Sequence, residues 1–304
     1  MKAHSNNHVL VISTGGTIAC TADERGALVP TLTAAELVEQ SASPVPVRTI
    51  DATSLDSSSI GLAELDSLRT LVAQSLIDDS VTAIVITHGT DSMAETALAL
   101  DLVYADPRPV VLTGAMRAAD DPNPDGPENL RGAIDLAATG QELGVVIHFA
   151  GETYPARGVQ KTHSSHTRAF SSRSPAPLPR PAAVPPTPLA GLNIPIVRAW
   201  AGADGGLLGA VEKQGLDGLV VEALGAGNVS AEMGEALARF LPEVPVVVAT
   251  SVPFGEVSFA YGGGGGGSTL GELGALPAGH LSAGQARIAL ATALSAGVDP
   301  RELL

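Results

Sequence analysis

The chain has 304 residues and a formal net charge of −15, since 17 lysines and arginines stand against 32 aspartates and glutamates. This charge disfavours nucleic acids and anionic membranes as partners, because both are themselves negatively charged. The length predicts about two domains. The 3% aromatic content and the 34 glycines predict cores built mainly from Ala, Val and Leu.

The single cysteine, Cys20, can form neither an intrachain disulfide nor a thiolate metal cluster. This composition is compatible with a reducing compartment. The N-terminus is polar, and the apolar run behind it ends at Ile12, which is too short for a signal-peptide core or a membrane span. We therefore expect a cytoplasmic protein.

The first half of the chain alternates short apolar runs with helical patterns. Strands are expected at residues 9–12, 81–86, 110–112 and 145–149. Helices are expected from residue 33, where a capping box begins, and at residues 62–76, 92–104 and 129–143, with Ser92 capping the helix at 92–104. Residues 21–30 are expected to form a mobile surface loop. Such alternation predicts a parallel sheet with helices on both faces and ligand chemistry at the carboxyl ends of its strands.

Prolines recur through residues 174–195 and indicate an extended linker, because proline disrupts helices and central strands. The alternation then resumes, with strands near residues 194–200, 218–224 and 244–250 and helices near residues 207–214, 230–241 and 283–296. The glycine run at residues 262–267 predicts a loop.

The predicted fold is therefore α/β in two domains, with a larger N-terminal, doubly wound, mainly parallel sheet and a smaller C-terminal α/β domain. The predicted boundaries are residues 1–175 for the N-terminal domain, 176–195 for the linker and 196–304 for the C-terminal domain.

Hydroxyl side chains follow two of the predicted strands, at Thr14 and at Thr90. A hydroxyl nucleophile needs a base and a group that stabilises the oxyanion. The glycines after Thr14 would free backbone N–H groups for that purpose, and Lys161 beside Asp91 could act as a base. Each residue also has a plain structural interpretation: a turn for Thr14, helix capping for Asp91 and an exposed cation for Lys161.

The motifs TGGTIA at residues 14–19 and THGTD at residues 87–91 resemble signatures of the bacterial-type L-asparaginases and glutaminases. Further similar segments follow in order along most of the chain: DSS at residues 56–58, GAMR at 114–117, DGPENL at 125–130, KT at 161–162 and GAGN at 225–228.

This resemblance implies an amidohydrolase that converts L-asparagine to L-aspartate and ammonia through a threonine acyl-enzyme. Either Thr14 or Thr90 would attack the side-chain amide, with Thr90, Asp91 and Lys161 in one hydrogen-bonded group.

The resemblance also implies how the substrate is bound. Asp91 would bind the α-ammonium, and Ser57 the α-carboxylate. Backbone groups of the neighbouring glycines and of the following serine would assist, at Gly15, Ser58 and Gly89.

The family builds each site at a subunit interface, so Asn228 would reach the site of a neighbouring subunit in a homo-oligomer, either a dimer or a tetramer. The resemblance implies no metal and no organic cofactor. The family's second-domain acid has only weak candidates here, Glu256 and Tyr261. Residues 21–30 lack the tyrosine that the family places there, and Arg25 is a candidate to replace it.

Alternative functions remain open from the sequence. L-Glutamine differs from L-asparagine by one methylene, which a pocket discriminates by only about 1–3 kcal/mol. A non-catalytic amino-acid-binding protein is an alternative of another class, suggested by the absent tyrosine. His163 and His166 have helical metal-ligand spacing, but without a neighbouring carboxylate or thiol they are expected to be surface residues.

Overall fold

The computed structural model describes residues 7–241 and 243–304; the polar segment at residues 1–6 lies outside them. The described chain divides into two compact units. The first extends to Ala156 and includes Lys161–Ser171, and the second comprises Arg157–Gln160 and Ser172–Leu304. No helix in the described ranges combines the length and the apolar character needed to cross a membrane.

The first unit contains the larger sheet. The strands of this unit are β1 (His8–Ser13), β2 (Cys20–Ala22), β3 (Leu28–Pro30), β4 (Val47–Asp51), β5 (Val81–Thr87), β6 (Val110–Thr113), β7 (Val145–Phe149) and β8 (Glu152–Pro155). Its helices are α1 (Ala34–Ser41), α2 (Leu62–Ser75), α3 (Met93–Asp101) and α4 (Gly126–Ala137).

Six strands of this unit form one sheet in the order β4-β1-β5-β6-β7-β8, in which only β8 is antiparallel to its neighbour. Helices α1 and α4 pack together on one face, where Leu130 and Ile134 meet Val9 and Val11. Alternate strand residues such as Ile84 are buried as well, so the opposite face, contacted by α3, is also covered. The predicted doubly wound, mainly parallel sheet is confirmed.

Two strands, β9 (Val159–Lys161) and β10 (Phe170–Ser172), form a separate two-stranded sheet where the chain passes from one unit to the other. Residues 174–195 contain no helix or strand and group with the second unit. The domain boundaries derived from the sequence remain a prediction.

The second unit is a smaller α/β unit. Its strands are β11 (Ile196–Arg198), β12 (Leu219–Ala223), β13 (Val246–Thr250) and β14 (Leu276–Pro277), paired in that order and all parallel. Its helices are α5 (Gly206–Glu212), α6 (Ala231–Phe240), α7 (Gly267–Glu272) and α8 (Ala283–Ala296). Met233, Leu237 and Phe240 of α6 pack in its core beside Val221. This unit matches the predicted smaller C-terminal α/β domain.

Several local predictions were wrong. Residues 21–30 were expected to be a mobile loop, but β2 and β3 pair there as an antiparallel hairpin. Helix α4 begins and ends earlier than predicted, because Pro127 suits a first turn and Gly140 adopts a positive φ of 69° just beyond the end. The glycine run at residues 262–267 was expected to be a loop throughout, but its last residue begins α7.

Helix α3 was expected to be capped by Ser92 and to reach residue 104, and both expectations were wrong. The Ser92 side chain makes no capping hydrogen bond. The helix ends at Asp101, because the N–H groups of Val103 and Tyr104 bond to carbonyls three residues back and tighten the chain into a turn.

Candidate active site

A cavity of about 450 Å³ opens at the carboxyl edge of the larger sheet. Loops that follow parallel strands meet at this edge. The loops after β1, β4, β5 and β6 all contribute to the lining, together with the β2–β3 hairpin and the end of β9. The lining side chains include Thr17, Asp56, Ser57, Thr90, Asp91, Met116 and Lys161.

Lys161 joins a hydroxyl and a carboxylate in this cavity. Its Nζ donates to Thr90 Oγ1 at 2.8 Å and to Asp91 Oδ1 at 2.7 Å. Thr90 is only 6% exposed, whereas the Asp91 side chain is 60% exposed. Asp91 therefore holds the lysine rather than capping α3, and its second carboxylate oxygen remains for a ligand. A hydroxyl that already accepts from an ammonium group is stabilised as it loses its proton.

Ser57 lies against the loop that carries Thr90. Its Oγ accepts from the Asp91 N–H at 3.3 Å, and its carbonyl accepts from Ser92 Oγ at 2.7 Å. A Cβ atom at Gly89 would lie 2.5 Å from Ser57 Oγ, so only glycine permits this approach.

Backbone donors also face this region. Among the described residues, the N–H groups of Gly89 and Thr90 have no acceptor. Both residues line the cavity, and free backbone N–H groups of this kind can bind an anionic oxygen.

Thr14 lies outside this cavity. Its Oγ1 donates to the Thr87 carbonyl at 2.9 Å, its side chain is 3% exposed, and it lines a second, mainly apolar cavity of about 420 Å³. Thr17, of the same motif, is half-buried and lines the active-site cavity. No other described residue forms a hydrogen bond with the Thr17 hydroxyl.

Two other predicted residues also lie outside the cavity. Gly15 has a φ of +98° and makes the turn between the two threonines, where a Cβ would meet the Leu55 carbonyl at 2.9 Å. Ser58 is exposed, and its N–H donates to Asp56 Oδ1 at 3.2 Å instead of facing the cavity. The turns at Gly15 and at Ser58 place these residues outside the cavity, and the sequence pattern does not predict the course of such turns.

Asn228 belongs to the second unit. Its Oδ1 accepts from the Gly267 N–H at 3.2 Å, at the beginning of α7. His163 and His166 are exposed, as expected, with ring centroids 5.4 Å apart.

Several cavity residues were missed from the sequence. They include Thr17, Cys20, Leu28, Pro30, Met116 and Ser164. The glycine pair before Thr17 was an available signal for it, since two glycines can reverse the chain toward a site. Leu28 and Pro30 depend on the unpredicted hairpin. Cys20 is a buried thiol whose pKa is raised, first by desolvation and then by the nearby Asp56 carboxylate, so it is a poor nucleophile.

A buried hydroxyl that accepts from a lysine, which is itself held by a carboxylate, at the carboxyl edge of a parallel sheet, is the arrangement expected of an α/β enzyme with a hydroxyl nucleophile. The chain belongs to the asparaginase family. The family model "Asparaginase, N-terminal" matches residues 8–183, and the model "Glutaminase/Asparaginase C-terminal domain" matches residues 193–303.

Relatives of this family align with almost the whole chain. A protein from Deinococcus radiodurans named "Probable L-asparaginase" is 36% identical over 96% of this chain and 94% of its own length. An "L-asparaginase" from Bacillus licheniformis is 30% identical over 95% of this chain and 96% of its own. The crystal structure of a "Probable Cytoplasmic L-asparaginase" from Campylobacter jejuni superposes with a TM-score of 0.84 at 27% identity, covering 98% of each chain.

Proposed function

We propose that this protein hydrolyses the side-chain amide of L-asparagine to L-aspartate and ammonia. The observation that carries the proposal is the hydrogen-bonded group of Thr90, Lys161 and Asp91 inside the cavity. Relatives named as L-asparaginases that match nearly end to end support it.

The reaction proceeds through a threonine ester. A threonine hydroxyl oxygen attacks the amide carbon, the C–N bond breaks, and the amide nitrogen leaves as ammonia after taking up a proton. Water then attacks the ester and releases L-aspartate. Thr14 and Thr90 remain the candidate nucleophiles predicted from the sequence, and Thr17, which lines the cavity with Thr90, is a third candidate. Lys161 accepts the proton as a free amine or stabilises the alkoxide as an ammonium group.

The α-ammonium of the amino acid binds a carboxylate, and its α-carboxylate binds hydrogen-bond donors. The α-ammonium pairs with Asp91, which keeps one oxygen beyond its contact with Lys161. The α-carboxylate accepts from the Ser57 hydroxyl and from the Gly89 N–H. Because Ser57 Oγ already accepts from the Asp91 N–H, its own proton remains to be donated to an anion.

The same family supports further proposals about assembly. We infer a homo-oligomer, a dimer or a tetramer, in which Asn228 completes the site of a neighbouring subunit.

The cytoplasmic location is proposed from the composition and from the name of the Campylobacter jejuni protein. L-Glutamine is a second candidate substrate, since the matching C-terminal family model is named for both activities.

Substitution of each threonine by the near-isosteric valine tests the mechanism. Thr90→Val should lower kcat at least about 10³-fold, the order of loss seen when a nucleophile or its activating partner is removed. A loss of the same size in only one of Thr14→Val and Thr17→Val would identify which threonine of the first motif takes part in the reaction. The Thr14 hydroxyl donates to the Thr87 carbonyl, whereas no described residue bonds the Thr17 hydroxyl. Ammonia release from L-asparagine and L-glutamine is the assay, with circular dichroism as the control for folding.

Survival of activity in Thr90→Val would exclude the proposed mechanism. Equal rates on the two amides would replace the asparagine preference with dual specificity. A wild-type protein that binds L-aspartate but releases no ammonia from either amide would be an amino-acid-binding protein rather than an enzyme.

A further inference from the structure

We propose that Ser92 is a positioning residue for the α-carboxylate end of the substrate, acting through Ser57. The inference rests on the proposed function, because it assigns to Ser57 the binding of that carboxylate.

Ser92 occupies the N-cap position of α3 without capping it. No side-chain capping hydrogen bond is present, and its backbone has φ −120° and ψ 17°. A serine in this position usually bonds to an N–H group of the first helical turn and so stabilises the helix. Here the Ser92 hydroxyl donates to the Ser57 carbonyl at 2.7 Å instead. The hydroxyl is therefore used to join two loops.

The Ser57 loop and the Thr90 loop are joined in both directions. The Asp91 N–H donates to the Ser57 side chain at 3.3 Å, while the Ser92 side chain donates to the Ser57 backbone. Together the two bonds fix both the backbone and the hydroxyl of a residue that is only 3% exposed. The Ser57 hydroxyl is thereby held beside Gly89 and Asp91, which line the cavity.

Loss of the Ser92 hydroxyl should act on one part of the site alone. Ser57 begins a short 3₁₀ turn at Ser57–Ser59, and its carbonyl would keep only the 3.3 Å bond from the Ile60 N–H within that turn. The turn would then be less well held against the Thr90 loop. The Thr90–Lys161–Asp91 group makes no hydrogen bond to Ser92, so its geometry should remain.

The test compares Ser92→Ala with Ser92→Thr, which retains the hydroxyl, and with Ser75→Ala as a matched control. Ser75 also donates to a backbone carbonyl, that of Leu71 at 2.8 Å, and it is half-buried on α2 away from the cavity. Ser92→Ala should raise KM for L-asparagine about 5- to 10-fold, the effect of one hydrogen bond, with kcat within about 2-fold. Ser92→Thr should restore KM, and Ser75→Ala should leave it unchanged.

Competitive binding separates positioning from general weakening. The inhibition constant of L-aspartate should rise by the same 5- to 10-fold in Ser92→Ala, whereas that of β-alanine, which lacks the α-carboxylate, should not change. An unchanged KM in Ser92→Ala, or equal weakening of both ligands, would overturn the inference.

The proposed function and this inference can fail separately. If the wild-type protein released no ammonia, the proposed function would fall, and calorimetric dissociation constants for L-aspartate in wild type and Ser92→Ala would still decide the role of Ser92. Absence of L-aspartate binding to the wild type would overturn the inference as well.

Discussion

Thr14 and Thr17 are residues of one type in one motif, yet the structure gives them different environments. Thr14 follows β1 directly, and its hydroxyl donates to the Thr87 carbonyl at the end of β5. Buried hydroxyl groups are generally hydrogen-bonded in this way. Gly15 and Gly16, with φ of +98° and +86°, then turn the chain so that Thr17 reaches the cavity. One motif therefore places two hydroxyls in different surroundings, with Thr14 buried against a strand and Thr17 at the cavity.

His88, in the middle of the second motif, is a buried neutral side chain. Its Nδ1 lies 2.7 Å from the Gly89 carbonyl, which can only accept, so Nδ1 carries the proton. Nε2 therefore accepts from Thr96 Oγ1 at 3.0 Å. Burial lowers the pKa of His88 from 6.5 to about 4, which keeps the ring uncharged near neutral pH.

This depressed pKa predicts a stability that falls in mild acid. Below its unfolded pKa of 6.5, His88 takes up a proton more readily when the chain unfolds, so acid favours unfolding down to the folded value of about 4. Between pH 7 and pH 5 the free energy of unfolding should fall by about 2 kcal/mol through this residue. Urea denaturation of wild type and His88→Gln at both pH values measures it. The same loss in His88→Gln would assign the effect to other groups, and His163→Gln, at an exposed ring, should behave as wild type.

At the scale of elements, the active site depends on loops that approach one another more closely than side chains allow. A Cβ at Gly16 would lie 2.4 Å from the Gly89 N atom, and one at Gly114 would lie 2.4 Å from the His88 carbonyl oxygen. The loops after β1, β5 and β6 thus meet as backbone against backbone. Glycine is required at these contacts for space, and at Gly16 also for its positive φ.

Two glycine substitutions separate these requirements. Gly16→Ala combines a φ of +86° with a collision against the Gly89 backbone, whereas Gly26→Ala has a φ of +80° with no atom within 4 Å. Gly26→Ala should cost about 1–2 kcal/mol of stability at most and leave kcat/KM nearly unchanged. Gly16→Ala should lower kcat/KM at least about 100-fold, because displaced catalytic loops lose alignment. Urea denaturation and ammonia release measure the two effects; similar losses in both variants would contradict the packing explanation.

At the scale of the whole molecule, a strongly acidic chain must bind an anionic carboxylate with local donors. Its net charge of −15 offers no general attraction, and in the proposed function the Ser57 hydroxyl and the free N–H groups near Gly89 supply the contact. The proposed homo-oligomer adds Asn228 from a second copy. That assignment predicts that one site is shared between two chains.

Mixed oligomers test this sharing. Thr90→Val removes the hydroxyl from one side of each site, and Asn228→Ala would remove the partner's contribution from the other. Each variant alone should be inactive or strongly impaired, while co-expression of the two should restore about one quarter of wild-type activity, because half of random pairs contain one intact site of two. Restoration is measured as ammonia release by the co-expressed mixture, purified without separating hetero-oligomers from homo-oligomers. Activity no higher than the mean of the two variants would place Asn228 outside a shared site.

The sequence predicted the class of fold because hydrophobic periodicity is a local property. Continuous apolar runs predicted β1, β5, β6 and β7, and the capping box at Thr33 and Glu36 predicted the start of α1, where both of its hydrogen bonds are present. Helix α8 was predicted at its observed bounds. Hairpin β2–β3 was not predicted, because each of its strands is only three residues long and is too short to show a period of alternating apolar residues.

The hydrogen-bonded group of Thr90, Asp91 and Lys161 also followed from sequence, because a family resemblance identified its members even though Lys161 stands 70 residues beyond Asp91. Tertiary structure alone decided which groups the cavity receives. Thr14 donates to the Thr87 carbonyl of a neighbouring strand, and Thr17 lines the cavity. Ser92 donates to the Ser57 carbonyl instead of capping its helix. A hydroxyl has several possible partners at similar free energy, and only the packed positions of distant loops determine which partner it takes.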